Sequence, residues 1–471
     1  MFSRTNSLPI LILQLLPVAL GMESMDPVIA VPLSEAEIRA EILDNYVYHD
    51  FPVEPRERGT ITILYSSIFL LVLSCYAFIR PNIPGPSSSE GTYFSFYFRK
   101  LKWVCITLLF PEVTVHQAIL QRWEAGQLLK QLNKVWKIDT EKGMGEIQPK
   151  FTLRQAWYVI IGGIVVDFRG VATEQELKRC GLPMGKVTLR PEAVMMLYEA
   201  DSGIGIVPEN TEIRDKDKES VIVNVLVYFQ AIFLIASNVL RIDQGYARSV
   251  LEIRCLTQIT YMFILFIFWG SKPVDILSPT LISGARATEI YKHISASASV
   301  EPPNKFLFTH RAYNLGLNQP SSAAKNHPRN LSFWLEHLGL FFAFGIFGVF
   351  NMAANHIIFP TTAERMLWKC ACSSTIVGST IPIFIRTIFS EHFKTEEESG
   401  VTDEHPVRIG VRIVKKMTGR MRWVIGFMGF MALWAVVARV LLLILPFTAL
   451  REMVIGTFML PGGSEFVPHV A

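Results

Sequence analysis

Charge is what this sequence has least of. Only 18% of its 471 residues are Asp, Glu, Lys or Arg, against about 25% in an average soluble protein. Cysteine is also scarce. There are six, Cys75, Cys105, Cys180, Cys255, Cys370 and Cys372, with no Cys-x-x-Cys pair among them. The lone Cys-x-Cys at 370 and 372 has no histidine or carboxylate at metal-ligand spacing, so packing is the reading for these side chains. A net charge of +4, with no basic run beside stacking aromatics, argues against a nucleic-acid partner. Nucleophile elbow, HExxH, Walker loop and paired intramembrane aspartates are all missing. Gly203 and Gly205 lack the third glycine and the strand–turn–helix setting of a dinucleotide loop. No catalytic residue, cofactor or metal site is assigned.

What the chain does have is hydrophobic residue, 50% of the total, with a mean hydropathy of +0.33. The excess comes in blocks long enough to cross a bilayer, which predicts a lipid-embedded protein with substantial wet segments. Residues 1–21 carry Arg4, an apolar core from Leu8 to Leu20 and small residues at Ala19 and Gly21, the pattern of a signal peptide. Residues 22–59 follow as an acidic extracytoplasmic segment.

Twenty uncharged residues at 60–79 predict the first transmembrane helix, since about 1.5 Å per residue matches a hydrocarbon core of roughly 30 Å. Arg99, Lys100 and Lys102 then mark the cytoplasmic side. Residues 80–220 are read as a cytoplasmic region. Within it, 101–123 is an amphipathic helix on the membrane face, a kinked span being the alternative. "WYVIIGGIVV" (157–166) is too short to cross. A transmembrane hairpin is predicted at 221–269, a cytoplasmic loop at 270–337, a second hairpin at 338–385, a cytoplasmic loop at 386–422, a last span at 423–445 and an extracytoplasmic tail at 446–471. The fold class is thus mostly α, a polytopic membrane protein of about six transmembrane helices with peripheral helical cytoplasmic regions. Basic residues lie on the inner side throughout.

Several stretches resemble, in order, a family of multi-pass membrane proteins of filamentous fungi. They are "RGTITILYSSIFLLVLSCYAFIRPNIP", "RKLKWVCITLLFPE", the tract from "IRDKDKES" through "VYFQAIFLIASNVLRI", "LEIRCLTQITYMFILFIFWGSKPVDILSP" and the tail "ARVLLLILPFTALREMVIGTFMLPGGSEFVPHV". The resemblance covers most of Arg58 to Pro279 and Trp423 to Val470. It implies a signal peptide, this arrangement of helices and a fungal membrane location. It carries over no activity and no site residue.

Polar groups inside the apolar blocks are the candidates for function, because an ionisable side chain there costs at least a few kcal/mol. Gln230 is the most central polar residue of 221–240. Asn351 and Asn355, four apart, share a helical face, and His356 follows. Arg439 lies deep in 423–445, where it either snorkels to the outer headgroups or pairs with a buried acid, for which Glu252, on its side of the membrane, is the candidate. Glu252 and Arg254 otherwise read as edge residues in the first turns of a helix that must begin near Val250 to be long enough. Gly339, Ala343, Gly345 and Gly348 predict close helix packing. The expected function is a sensor, scaffold or interaction protein in the secretory pathway or plasma membrane, its one evident partner the lipid bilayer. A transporter or channel for a small solute or ion is the alternative.

Overall fold

A computed structural model describes residues 47–49, 58–83, 93–141, 150–179, 185–201, 204–218, 221–298, 308–309, 344–357, 359–378 and 419–460. The signal peptide, most of the acidic segment and residues 386–418 of the last cytoplasmic loop lie outside them. Most described residues are helical. In chain order the elements begin with strand β1 (Val47–His49) and helices α1 (Thr60–Phe78), α2 (Tyr93–Leu109), α3 (Pro111–Glu141) and α4 (Leu153–Ile160). There follow β2 (Ile164–Asp167), α5 (Glu174–Arg179), β3 (Lys186–Leu189), α6 (Pro191–Ala200), α7 (Asn210–Lys216), α8 (Val221–Asp243) and α9 (Val250–Trp269). The described chain continues with β4 (Thr280–Ile282), α10 (Ala285–Ala298) and β5 (Phe308–Thr309). It ends with α11 (Thr362–Gly378), α12 (Gly419–Thr448) and β6 (Glu452–Val454).

Four of these helices, α1, α8, α9 and α12, are long and apolar enough to cross a membrane, or five spans if the bent pair α2/α3 counts as one. Among the described residues the expected six are not reached. In the second hairpin, only 344–352 and α11 are described as helical, and neither has spanning length within the described residues. α9 is the hub, packing against α1, α3, α8 and α12. Its limits match those expected at both ends. Ser249 and Glu252 form a reciprocal capping box that satisfies the first backbone N–H groups. Large apolar side chains on the outer faces of the bundle remain exposed, among them Ile222, Phe229, Ile232, Phe427 and Phe430.

The segment 101–123 is not one amphipathic helix. Its chain bends by 112° between α2 and α3. Pro111 is the cause: it lacks an N–H and disfavours helical geometry in the residue before it, yet suits the first position of the next helix. Val104, Thr107, Glu112, Thr114 and Val115 near the bend are buried in the protein rather than laid on its surface.

The expected helical wet regions also need correction, because they carry a sheet. Strand order is β4-β2-β3-β5, with β2–β4 parallel and the other two pairs antiparallel. Gly162, at φ +85°, ends α4 and starts the turn into β2, so the apolar run at 157–166 is divided between helix and strand. One apolar cluster runs from Cys75 and Phe78 of α1 through Trp157, Tyr158 and Ile164 to Leu442 of α12, joining bundle and sheet without a seam. At the other end of the helices, β1 and β6 pair antiparallel, Val47 opposite Val454.

Candidate functional site

The α2/α3 bend leaves carbonyls at the end of α2 without helical partners. Side chains of α9 supply them. Arg254 Nη2 donates to the Leu108 carbonyl at 2.7 Å, and Gln258 Nε2 donates to the Thr107 carbonyl at 3.1 Å. The two are four apart on one helical face, and Arg254 Nη1 donates to Gln258 Oε1 at 3.1 Å. A cation at the negative end of α2 is also favourable for the helix dipole. Thr107 and Thr114 hydroxyls meet at 2.8 Å across the bend.

Glu112, in the first turn of α3, sits at that helix's positive end. Its Oε1 lies 2.6 Å from Arg439 Nη2, with the two side chains 0% and 2% exposed. The contact is an ion pair by distance, and neither carboxylate oxygen of Glu112 has an aligned hydrogen bond among the described residues. The guanidinium of Arg439 lies 3.8 Å from the Phe347 ring centroid and that of Arg254 lies 4.9 Å from the same ring. One carboxylate and two guanidiniums thus share a buried interior beside an aromatic face.

The expected Glu252–Arg439 pair does not form. Glu252 instead accepts from Arg58 Nη2 at 2.6 Å and from Ser249 N and Oγ at 3.0 and 2.9 Å. The charge pattern puts both residues toward one side, but a buried charge is satisfied by whichever partner packs against it. Close by, Arg241 is 0% exposed. It donates to the carbonyls of Ala247, Gly456, Thr457 and Met459, which fastens the segment after α12 to the end of α8.

The other end of the bundle carries a buried lysine. Lys272, 1% exposed, donates to Asn82 Oδ1 at 2.9 Å and Gln121 Oε1 at 3.0 Å, and lies 4.4 Å from the Trp269 ring centroid. Burial pushes its ammonium well below the ordinary lysine range, and the nearby Arg80 charge acts in the same direction. Around it the peptide 271–275 joins bundle to sheet. Trp157 Nε1 donates to Ser271 Oγ at 3.1 Å, Val274 N donates to Asp217 Oδ1 at 2.9 Å, and Lys100 pairs with Asp275 at 2.6 Å. Asp275 holds φ +51°, a left-handed conformation that aspartate tolerates better than most residues.

The remaining sequence candidates stay apart from these clusters. Asn351 is buried, but its Nδ2 donates to the Phe347 carbonyl at 2.8 Å one turn back, and its own carbonyl accepts from Trp368 Nε1 at 3.0 Å. These bonds serve helix packing, and its buried Oδ1 has no partner among the described residues. His356 is exposed at the end of the 3-10 turn Ala353–His356, and Gln230 is half-buried on α8. Gly348 does serve close packing, since a Cβ there would stand 2.4 Å from Ile376 Cγ1; one on Gly345 would meet nothing within 4 Å. Gly339 and Ala343 lie outside the described residues. Sequence reasoning missed Glu112 and the capping role of Arg254. The Pro-Glu pair interrupting an apolar run was the available signal for the first.

No curated protein and no solved structure matches this chain. A family model matches residues 43–304 and 337–470, and the chain therefore belongs to that family, DUF8562, a family of unknown function.

Proposed function

We propose that this is an integral multi-pass membrane protein of the secretory pathway or plasma membrane that works as a sensor, scaffold or interaction protein. The strand pairings carry the reading. Two segments expected in the cytoplasm, 80–220 and 270–337, contribute to one sheet. Two expected outside, 22–59 and 446–471, pair as β1 and β6. The charge-based topology therefore brings like with like. The exposed apolar faces of α1, α8 and α12 suit lipid. A soluble α/β unit held firmly to the bundle through residues 271–275 is a platform for partners. The signal peptide and fungal setting rest on the sequence pattern and the resemblance.

Transport is the second reading, and the burial of the Glu112, Arg254 and Arg439 side chains speaks against it, because a path for solute needs a wet midplane. Native cysteines offer the test. Cys75 and Cys255 stand beside the cluster and are 0% exposed; Cys75 accepts from Gln258 Nε2 at 3.3 Å. In protein reconstituted in vesicles with the other four cysteines replaced, a charged thiosulfonate should leave both unmodified. Modification from either side would establish a water path and favour transport. A glycosylation map with engineered sequons in residues 22–46 and 300–307 tests the topology: sugar on the second segment would overturn it.

A further inference from the structure

The rim of the α/β unit gathers three metal-ligating side chains that the sequence did not draw together. Glu289 and His293 are four apart on α10 and so project from one face. Ala287, Ile290 and Ile294 bury the opposite side against the core, which fixes that face's direction. Asp201 lies at the C-terminal cap of α6, the helix packed beside α10. Ligand atoms of all three lie within 4.8 Å of one another.

We propose that Asp201, Glu289 and His293 form a binding site for a first-row transition-metal dication. His293 Nε2 and Asp201 Oδ2 are 3.8 Å apart. That is too long for a hydrogen bond and close to the roughly 3.4 Å separating two ligands that hold one tetrahedral zinc at about 2.1 Å. Two carboxylates and a neutral imidazole balance a dication's charge. The cap position of Asp201 puts the negative end of α6 next to it. An imidazole in the set favours zinc or cobalt over calcium, magnesium and manganese, which suit oxygen ligands. Since Asp201 and His293 are half-buried and Glu289 is exposed, water can complete the coordination shell. This site does not depend on the membrane reading, because it belongs wholly to the α/β unit.

The test uses the full chain in detergent, freed of metal and titrated with Zn²⁺ beside the variants Glu289→Gln and His293→Ala. The wild-type protein should bind one equivalent more than either variant and should gain thermal stability on Zn²⁺ addition, which the variants lose. Mg²⁺ at the same concentration should give neither effect. Co²⁺ should produce a visible d–d absorption that His293→Ala weakens. Since Glu289 is exposed, Glu289→Gln should match the wild-type melting temperature without metal, which separates site loss from misfolding. Equal zinc stoichiometry in all three proteins, or a cobalt spectrum unchanged by His293→Ala, would overturn the assignment.

Discussion

Arg439 on α12 lies 2.6 Å from Glu112 on α3, and both side chains are closed to solvent. A charge buried in this way depends on its partner. Glu112→Gln leaves Arg439 uncompensated and should cost about 3–5 kcal/mol, whereas Glu112→Leu combined with Arg439→Met should recover most of that loss. Denaturation of the purified protein in mixed micelles measures both. A double variant no better than the single would remove the pair from the interior.

At the other charged cluster the pairing is Arg58 with Glu252. Reversing both charges there should restore part of the stability lost in Glu252→Arg, because the ion pair returns and the cap does not. Reversing Glu252 and Arg439 together should restore none. Ser249→Ala alone should cost about 1 kcal/mol by removing the capping hydroxyl.

Two glycines in one helical stretch should respond oppositely to added bulk. Gly348→Val drives new atoms into Ile376 and the Cys372 carbonyl and should destabilise by roughly 1–3 kcal/mol. Gly345→Ala meets open space and should be neutral or slightly stabilising, since alanine favours helix. Paired melting curves decide it.

Lys272 makes a pH prediction. Its folded value is depressed, so below the ordinary lysine range the unfolded chain binds a proton that the folded chain resists. Stability contributed by this site therefore rises with pH through the window from the depressed value up to about 10.4. Lys272→Met should be relatively more stable at neutral pH, and its advantage over the wild type should shrink as the pH rises. An advantage independent of pH would mean that Lys272 does not titrate in that window.

The sequence announced α1 and α9 because length and hydropathy agree at both positions, and α9 adds a Ser-x-x-Glu start. It misread 101–123 because periodicity carries on through Pro111 while the backbone does not. The strands were hidden by their size: Ile164–Asp167 and Lys186–Leu189 are four residues each, too short for an alternating pattern to register. Charge partners were the least legible feature. Glu252 and Arg58 are separated by 194 positions, and one sequence records which side chains are ionised but not which helices will pack together. The Asp201, Glu289 and His293 group was hidden for the same reason, as only its i,i+4 half is visible in one helix.

The pairing of β1 with β6 ties the first described strand to the last. During synthesis Val47 emerges long before Val454, so the N-terminal strand must wait for its complement until Glu452–Val454 has been made. Arg241 waits likewise for the carbonyls of 456–459. Closure of this end is therefore a late latch, and a truncation before Glu452 would leave β1 without its pairing strand and Arg241 of α8 without three of its carbonyl acceptors.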